Sequence, residues 1–353
     1  MTIDAELIKI EVVMNRRLNI AIVGATGAVG EALLTVLQER DFPVDNLYPL
    51  ASARSAGKTV TFNNRQLDVE DLSTFDFSQV DIALFSAGGS VSKQFAPIAV
   101  AAGCVVVDNT SCFRYDSDIP LVVPEVNAHR IADYTNRGII ANPNCSTIQM
   151  VVALKPLHDA VGISRINVAT YQAVSGTGKK AITELVNQVG ELLNGRPVKS
   201  SVYPQQIAFN VLPHIDEFQE NGYTREEMKM VWETRKIMED DTILVNPTAV
   251  RVPVLYGHSE AIHVELKAPL TAVDARKLLA KAPGIRLIDD VAKLQYPTPI
   301  THAVGHDEVF VGRIRQDISH PCGLNLWVVA DNIRKGAATN AVQIAEILQR
   351  EYL

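Results

Sequence analysis

The sequence has no CxxC pair and no paired Cys/His spacing among its four cysteines, Cys104, Cys112, Cys145 and Cys322. That excludes a zinc ribbon and a disulfide framework, and it fits a reducing compartment. His302 and His306 have no further ligands beside them, so no metal is expected. There is no excess of base either: 33 Lys and Arg stand against 40 Asp and Glu, a net charge of −7. No nucleic-acid surface is expected, and no basic cluster marks a membrane-binding face. No uncharged run is long enough to span a bilayer. Asp4, Glu6 and Glu11 interrupt any apolar core of a leader peptide. Internal repeats and low-complexity segments are missing too. What remains is a soluble, cytoplasmic globular protein, whose 353 residues suffice for two domains.

The most informative stretch is Gly138–Thr147, GIIANPNCST. A strand-like apolar run meets an Asn-Pro-Asn turn, then Cys145, then Ile148, Val151, Val152 and Leu154 at helical spacing. Cys145 therefore falls at a helix start, where backbone N–H groups favour a thiolate and can hold an oxyanion. Alone, the stretch is a weak signal, because free cysteines are usually buried and inert.

Upstream, Ile3, Leu7, Ile10 and Met14 share a helical face, so residues 1–17 read as an N-terminal extension, either a docked helix or a tail. Leu18–Val23 is a near-continuous apolar strand, as a buried parallel strand should be. It runs into Gly24-Ala25-Thr26-Gly27-Ala28-Val29-Gly30 and then a helix with Val29, Leu33, Val36 and Leu37 inward. Strand, glycine turn and helix make a dinucleotide cradle of GxxGxxG spacing, in which Gly24, Thr26, Gly27, Ala28, Val29 and Gly30 are the expected contacts. The second strand, near Asn46–Ala51, ends without the acidic residue that suits a ribose 2′-hydroxyl. It is followed by Ser52, Arg54 and Ser55, which suit a 2′-phosphate, so NADP is favoured over NAD. Strand Val80–Phe85 leads to Ser86, Ala87 and Gly88, small enough to let a cofactor pass. Cys104–Val107, Leu121–Val123 and Gly138–Ala141 complete an open, mostly parallel sheet. Arg114 is the one base in the turn that begins Asp108-Asn109, and it reads either as an anion site or as a surface arginine.

Beyond Cys145 the texture changes. Arg165–Ala173, Ala261–Lys267, Val309–Arg315 and Leu324–Ala330 read as strands of a largely antiparallel sheet with one packed face. Thr224 and Glu227 form a capping box at a helix start. Glu226 and Lys229 share a face of that helix, which by itself reads as a solvated pair. From Asn332 a closing helix is expected to pack on the first domain.

These pieces resemble the aspartate-semialdehyde dehydrogenase family. The resemblance is carried by GATGAVG at 24–30, ASARSAGK at 51–58, NPNCST at 142–147, QAVSGTG at 172–178, REEMK at 225–229, RVPV at 251–254, GHSE at 257–260 and GLNLWVVADNIRKGAA at 323–338. It spans almost all of the chain after Met14. It implies an α/β protein with an N-terminal Rossmann-like, parallel-sheet NADP-binding domain, residues 18–143 together with 332–353. Residues 144–331 would form an α+β catalytic and dimerisation domain. Cys145 would be the nucleophile, forming a thiohemiacetal and an acyl-thioester, and His258 the general acid/base. Gln172 would orient the acyl group. Arg251 would bind the substrate carboxylate and Glu226 its ammonium. Arg114, Lys229 and Asn109 would receive phosphate, and Gly176 and Asn332 would line the NADP(H) site. A homodimer is implied, with a homotetramer as the alternative. The other histidines read as structural, and Cys112, two residues before Arg114, reads as structural or as a second reactive thiol. Three rivals remain: an N-acetyl-glutamyl-phosphate reductase on the same scaffold, a non-catalytic cofactor-binding scaffold, and a cysteine hydrolase.

Overall fold

The computed structural model describes residues 16–353. The helical face expected over Ile3–Met14 lies outside them. Two compact units divide the chain. The first runs to Pro143 and takes back Ala337–Leu353; the second is Asn144–Gly336.

The first unit opens with β1 (Leu18–Val23), α1 (Ala28–Glu39) and β2 (Val44–Ala51). A small hairpin of β3 (Thr59–Phe62) and β4 (Arg65–Asp68) turns through Asn63 and Asn64, at φ 47° and 60°. These are the left-handed values that a two-residue hairpin turn requires. Then come β5 (Glu70–Asp71), β6 (Ile82–Phe85), α2 (Gly89–Ala101), β7 (Val105–Asp108) and β8 (Ile139–Ala141). The sheet is parallel, in the order β5-β2-β1-β6-β7-β8. Its central strands are buried on both faces, which is why they read as nearly continuous apolar runs. Leu33, Val36 and Leu37 of α1 share one core with Val342, Ile344 and Leu348 of the C-terminal helix (Thr339–Glu351).

The expected strand at Leu121–Val123 is not formed. Leu121 makes only an isolated bridge to Ala141. Pro120 and Pro124 flank the segment and supply no backbone donors, and Pro124 starts a helical turn.

The second unit begins with α3 (Cys145–Val161) and β9 (Ile163–Gln172). It continues through α4 (Lys179–Leu193), α5 (Arg225–Met238), β10 (Leu244–Arg251), β11 (His258–Leu266), α6 (Ala272–Leu279), β12 (Ile285–Leu287), β13 (Val309–Gln316) and β14 (Gly323–Ala330). The sheet order is β10-β9-β11-β14-β13-β12. The three inner pairings are antiparallel and the two outer ones parallel. Helix α3 packs on β9, β11, β13 and β14, and α5 packs on α3 and β10. The capping box at Thr224 and Glu227 is present. The loop after α4 is tied back by Glu184, which accepts the N–H groups of Ser201 and Val202. Asn332–Gly336, read from sequence as part of the first domain, group with the second unit. Among the described residues no helix is long and apolar enough to cross a membrane.

Candidate active site

Cys145 is the first residue of α3 and is partly exposed. The Asn144 side chain caps this helix, its Oδ1 accepting from the N–H groups of Ser146 at 3.1 Å and Thr147 at 3.2 Å. The sequence reading offered the N–H groups of this helix start to an oxyanion. Two of them are instead spent on the cap, since an Asn at this position satisfies its own helix first.

Asn144 is in turn held by α5. Its backbone N–H donates to Glu233 Oε2 at 2.6 Å, and its Nδ2 to Glu226 Oε1 at 2.9 Å. Glu226 and Glu233 are seven residues apart, hence on one helix face. Gln172 Nε2, at the end of β9, donates to the same Glu226 oxygen at 3.1 Å, and Lys229 Nζ donates to Glu226 Oε2 at 3.0 Å. The Glu226–Lys229 pair is not the solvated pair that helix spacing alone allows. Its side chains are 6% and 13% exposed, and Asp216 completes it at 2.7 Å from Lys229. Burial alone would raise the Glu226 carboxyl. The Lys229 charge and the hydrogen bonds from Asn144, Lys229 and Gln172 outweigh it and bring the group down to about 2.

His258 begins β11 and is fully buried. Its Nδ1 accepts the Ala173 N–H at 3.0 Å, while Nε2 has no hydrogen-bond partner. Burial, and then the neighbouring Arg251 charge, lower the ring to about 3 against the opposing pull of Glu226. His258 is therefore a neutral imidazole at physiological pH, with its proton on Nε2. Arg251 ends β10, pairs in register with Gln172 and donates from Nη1 to Ala173 O at 2.7 Å. Gly176 lies against both residues: a Cβ there would be 3.0 Å from Arg251 Nη1 and 3.4 Å from His258 Nε2. Asn332 Oδ1 accepts the Gly257 N–H at 2.9 Å, and its Nδ2 donates to Ser175 Oγ at 3.0 Å. It thus steadies the entry to β11.

The first unit holds the other group of expected residues. Gly24 has φ 95°, and a Cβ on it would be 3.0 Å from Ser86 Oγ and 3.1 Å from Ala87 N. The ends of β1 and β6 therefore abut, at the point where strand order reverses, which is where dinucleotides bind in such sheets. A Cβ on Gly30 would be 2.2 Å from Gly24 O, so only glycine allows α1 so close to the turn. No side chain caps α1, whose N-cap is Gly27, and Gly88 has φ 101° with open space around it. A pyrophosphate fits this cradle, because its backbone donors and clearance are in place. Thr26 sits on the same turn, Ala28 and Val29 open α1, and Ser52, Arg54 and Ser55 lie on the partly to fully exposed turn that follows β2. Arg114 is buried and donates from Nη2 to Asn109 O at 2.7 Å, and Asn109 Oδ1 accepts from Asn142 at 2.6 Å. Burial, then Asp108 and Asp116, raise the Cys112 thiol. That disfavours the reactive thiolate.

The comparisons decide what these two groups belong to. Residues 154–335 match the model described as semialdehyde dehydrogenase, dimerisation domain, and residues 19–134 the one described as its NAD binding domain. An aspartate-semialdehyde dehydrogenase of Legionella pneumophila is 78% identical over 340 residues, 96% of this chain and 98% of its own. The chain belongs to the aspartate-semialdehyde dehydrogenase family. It is therefore an enzyme of a nicotinamide-dependent oxidoreductase family. A solved structure of aspartate semialdehyde dehydrogenase II from Vibrio cholerae, complexed with ASA, matches at a TM-score of 0.94 and 62% identity. The match covers 96% of this chain and 100% of that one. The Candida albicans enzyme with NADP matches at 0.74 and 25% identity, covering 95% and 99%.

Two features of the site escaped sequence reasoning. Glu233 shares the face of Glu226, a seven-residue spacing that was there to be read. Gly336 was quoted only within a motif, but a Cβ on it would be 2.8 Å from Cys145 Cβ. Gly336→Ala must therefore displace Cys145. We expect kcat to fall on the order of 10²-fold, the usual effect of a misplacement near 1 Å, with dinucleotide affinity unchanged. Steady-state kinetics beside a cofactor titration checks this, and wild-type kcat would contradict it.

Proposed function

We propose that the protein catalyses the reversible NADPH-dependent reduction of L-aspartyl 4-phosphate to L-aspartate 4-semialdehyde and phosphate. It would act in the cytoplasm, in the synthesis of aspartate-derived amino acids (lysine, threonine, methionine and diaminopimelate). One observation carries the reading. A buried network centred on Glu226 joins Asn144, next to Cys145, with Gln172 and Lys229, and the residue after Gln172 holds His258.

In the oxidative direction, Cys145 Sγ acts as a thiolate favoured by the start of α3. It bonds to the aldehyde carbon, and the carbonyl electrons move to oxygen. His258 faces that oxygen with Nε2–H, the ring atom left over by Ala173, and donates to it as charge develops. The ring, lowered to about 3, is neutral at rest, and the general acid/base role expected from sequence would be exercised from this Nε2. When bound, the nicotinamide accepts or supplies the hydride. Cys145 carries the acyl group as a thioester until a phosphate oxygen attacks its carbonyl carbon, the C–S bond breaks and the electron pair returns to Sγ. Thiolate suits both steps because it attacks and leaves well. Gln172 orients the acyl group with its Oε1 fixed by Thr170 at 2.9 Å. Arg251 offers a planar fork to the substrate carboxylate. Glu226 has one acceptor position left for the ammonium, a group that an N-acetylated substrate lacks. Arg114 with Asn109 in the first unit, and Lys229 in the second, are the phosphate-binding groups.

Phosphate-dependent NADPH formation from aspartate semialdehyde tests this directly. The wild type should turn over, and Cys145→Ser should lose on the order of 10³-fold or more in kcat. No turnover by the wild type in either direction would sink the assignment.

The dinucleotide unit is read as NADP-specific through Arg54, with Ser52 and Ser55 beside it. Arg54→Ala should raise the KM for NADPH about tenfold, the worth of one hydrogen bond to a charged group, and leave NADH use nearly unchanged. Equal effects on both cofactors would show that Arg54 does not read the 2′-phosphate.

The second unit is read as the dimerisation unit as well as the catalytic one. The matched description supports this. So does the face of its sheet that bears Ala169, Ala261 and Trp327 in one row, with Tyr171 39% exposed and its ring tilted against Trp327 at a centroid distance of 5.4 Å. Sedimentation equilibrium should give the mass of two chains, or of four if dimers pair, and a monomer at micromolar concentration would refute the reading.

A further inference from the structure

A carboxyl that the reaction does not use lies beneath the candidate catalytic pair. Glu260 is fully buried on β11, two residues from His258, so both side chains point to the same face of the sheet. Helix α3 packs against this strand. Gln149 lies four residues after Cys145, on the same side of α3, and it is fully buried too. One helical turn thus separates Cys145 from Gln149, and one strand repeat separates His258 from Glu260.

Gln149 faces Glu260 across the gap. Neither Glu260 oxygen has a hydrogen-bond partner within 3.5 Å, and neither Gln149 amide atom has one. Each supplies what the other lacks. The amide N–H can donate to a carboxyl oxygen, and a protonated carboxyl can donate to the amide oxygen. The two register partners of Glu260 do not compete. Across β9, the register partner Thr170 gives its hydroxyl to Gln172, and across β14 the partner is Val328.

We propose that Glu260 is a positioning residue for Cys145 and His258: its carboxyl and the Gln149 amide form a buried bridge that fixes β11, under His258, to the helix that carries Cys145. The inference rests on the reading that Cys145 and His258 do the chemistry. Glu260 fills the role as a neutral acid, since burial pushes its carboxyl well above the usual range, with Gln149 opposing. Folding carries a stability cost for this. Above the ordinary carboxyl range the unfolded chain ionises while the folded one cannot, so the penalty grows as pH rises beyond about 4.5. A buried titratable group kept at such a cost is the kind a functional site retains.

The test uses the full chain with Glu260→Gln, Glu260→Leu and Gln149→Leu. Glu260→Gln should keep kcat within about twofold, because an amide donates to Gln149 as the acid does. Both leucine variants should lose about tenfold or more in kcat while the KM for the semialdehyde stays within about twofold, since Arg251 and Glu226 are untouched. Their rates of Cys145 alkylation by iodoacetamide should shift as well. In wild type near neutral pH, infrared spectra should show a carboxylic-acid C=O stretch that Glu260→Gln removes. Wild-type kcat in both leucine variants would overturn the bridge. So would a kcat in Glu260→Gln as low as in Glu260→Leu, or absence of the acid band. If one leucine variant fails to fold, the other reads the same bridge. An active Cys145→Ser would instead strike the underlying reading, so the two failures are distinguishable.

Discussion

The Glu226 carboxylate is the constraint on which the candidate active site depends. A carboxylate this deeply buried persists only if donors replace water around it. Here they come from three separate places: Asn144 at the start of α3, Gln172 at the end of β9 and Lys229 one turn along α5. Each donor must hold its position or the charge is left unsatisfied, so the charge locks three chain segments that meet at Cys145. The start of α5 is itself fixed from below. Thr224 and Glu227 cap it reciprocally, and the other Glu227 oxygen accepts the Ala249 N–H of β10 at 2.9 Å. Glu226 therefore stands on a helix end that cannot swing away from the strand bearing Arg251.

The two units use different means to the same end. In the dinucleotide unit the chemistry-bearing surface is backbone. Gly24 and Gly30 allow backbone approaches that a Cβ would block, and Gly88 leaves open space, so that a pyrophosphate would meet bare backbone at the α1 start and the ends of β1 and β6. In the second unit the surface is side chain, and the glycines there make room for other residues. Gly176 admits Arg251 and His258, and Gly336 admits Cys145.

What the sequence made legible was local. The buried strands of the first sheet show as nearly continuous apolar runs, the Cys145 corner shows as strand, turn and helix, and the Thr224 cap shows as a four-residue pattern. The failures are cases where a distant partner or a flanking residue decided. Leu121–Val123 has strand composition, but prolines on both sides remove the ladder. Glu226 and Lys229 have the spacing of a surface pair, and only the arrival of Asn144, 82 residues earlier in the chain, with Gln172 turns them into a buried site. The N–H groups at the start of α3 looked available for an oxyanion until Asn144 was seen to turn its own side chain onto two of them. Neither the Gly336 approach to Cys145 nor the Gln149–Glu260 pairing is encoded in any spacing, because each joins segments that meet only through sheet register and helix packing.

Burial around Cys145 is settled in two opposite ways, and the contrast assigns the protons. A buried group that finds donors keeps its charge, and one that does not gives the charge up. Glu226 follows the first course. Lowered to about 2, it has no proton to give at neutral pH, so it can bind an ammonium but cannot act as an acid. His258 and Glu260 follow the second, both neutral for want of compensating partners. Two carboxyls in one unit thus take opposite protonation states through their surroundings alone, the same principle by which acid and base roles are divided elsewhere. The Glu260 proton is sealed under β11 and faces Gln149, away from the reacting atoms. In the proposed mechanism the proton that meets a substrate oxygen is the one on His258 Nε2, and it is there because the Ala173 N–H occupies Nδ1. The placement of a single backbone amide, one residue past Gln172, therefore couples the Glu226 network to the chemistry: moving Gln172 moves Ala173, and with it the tautomer that His258 presents.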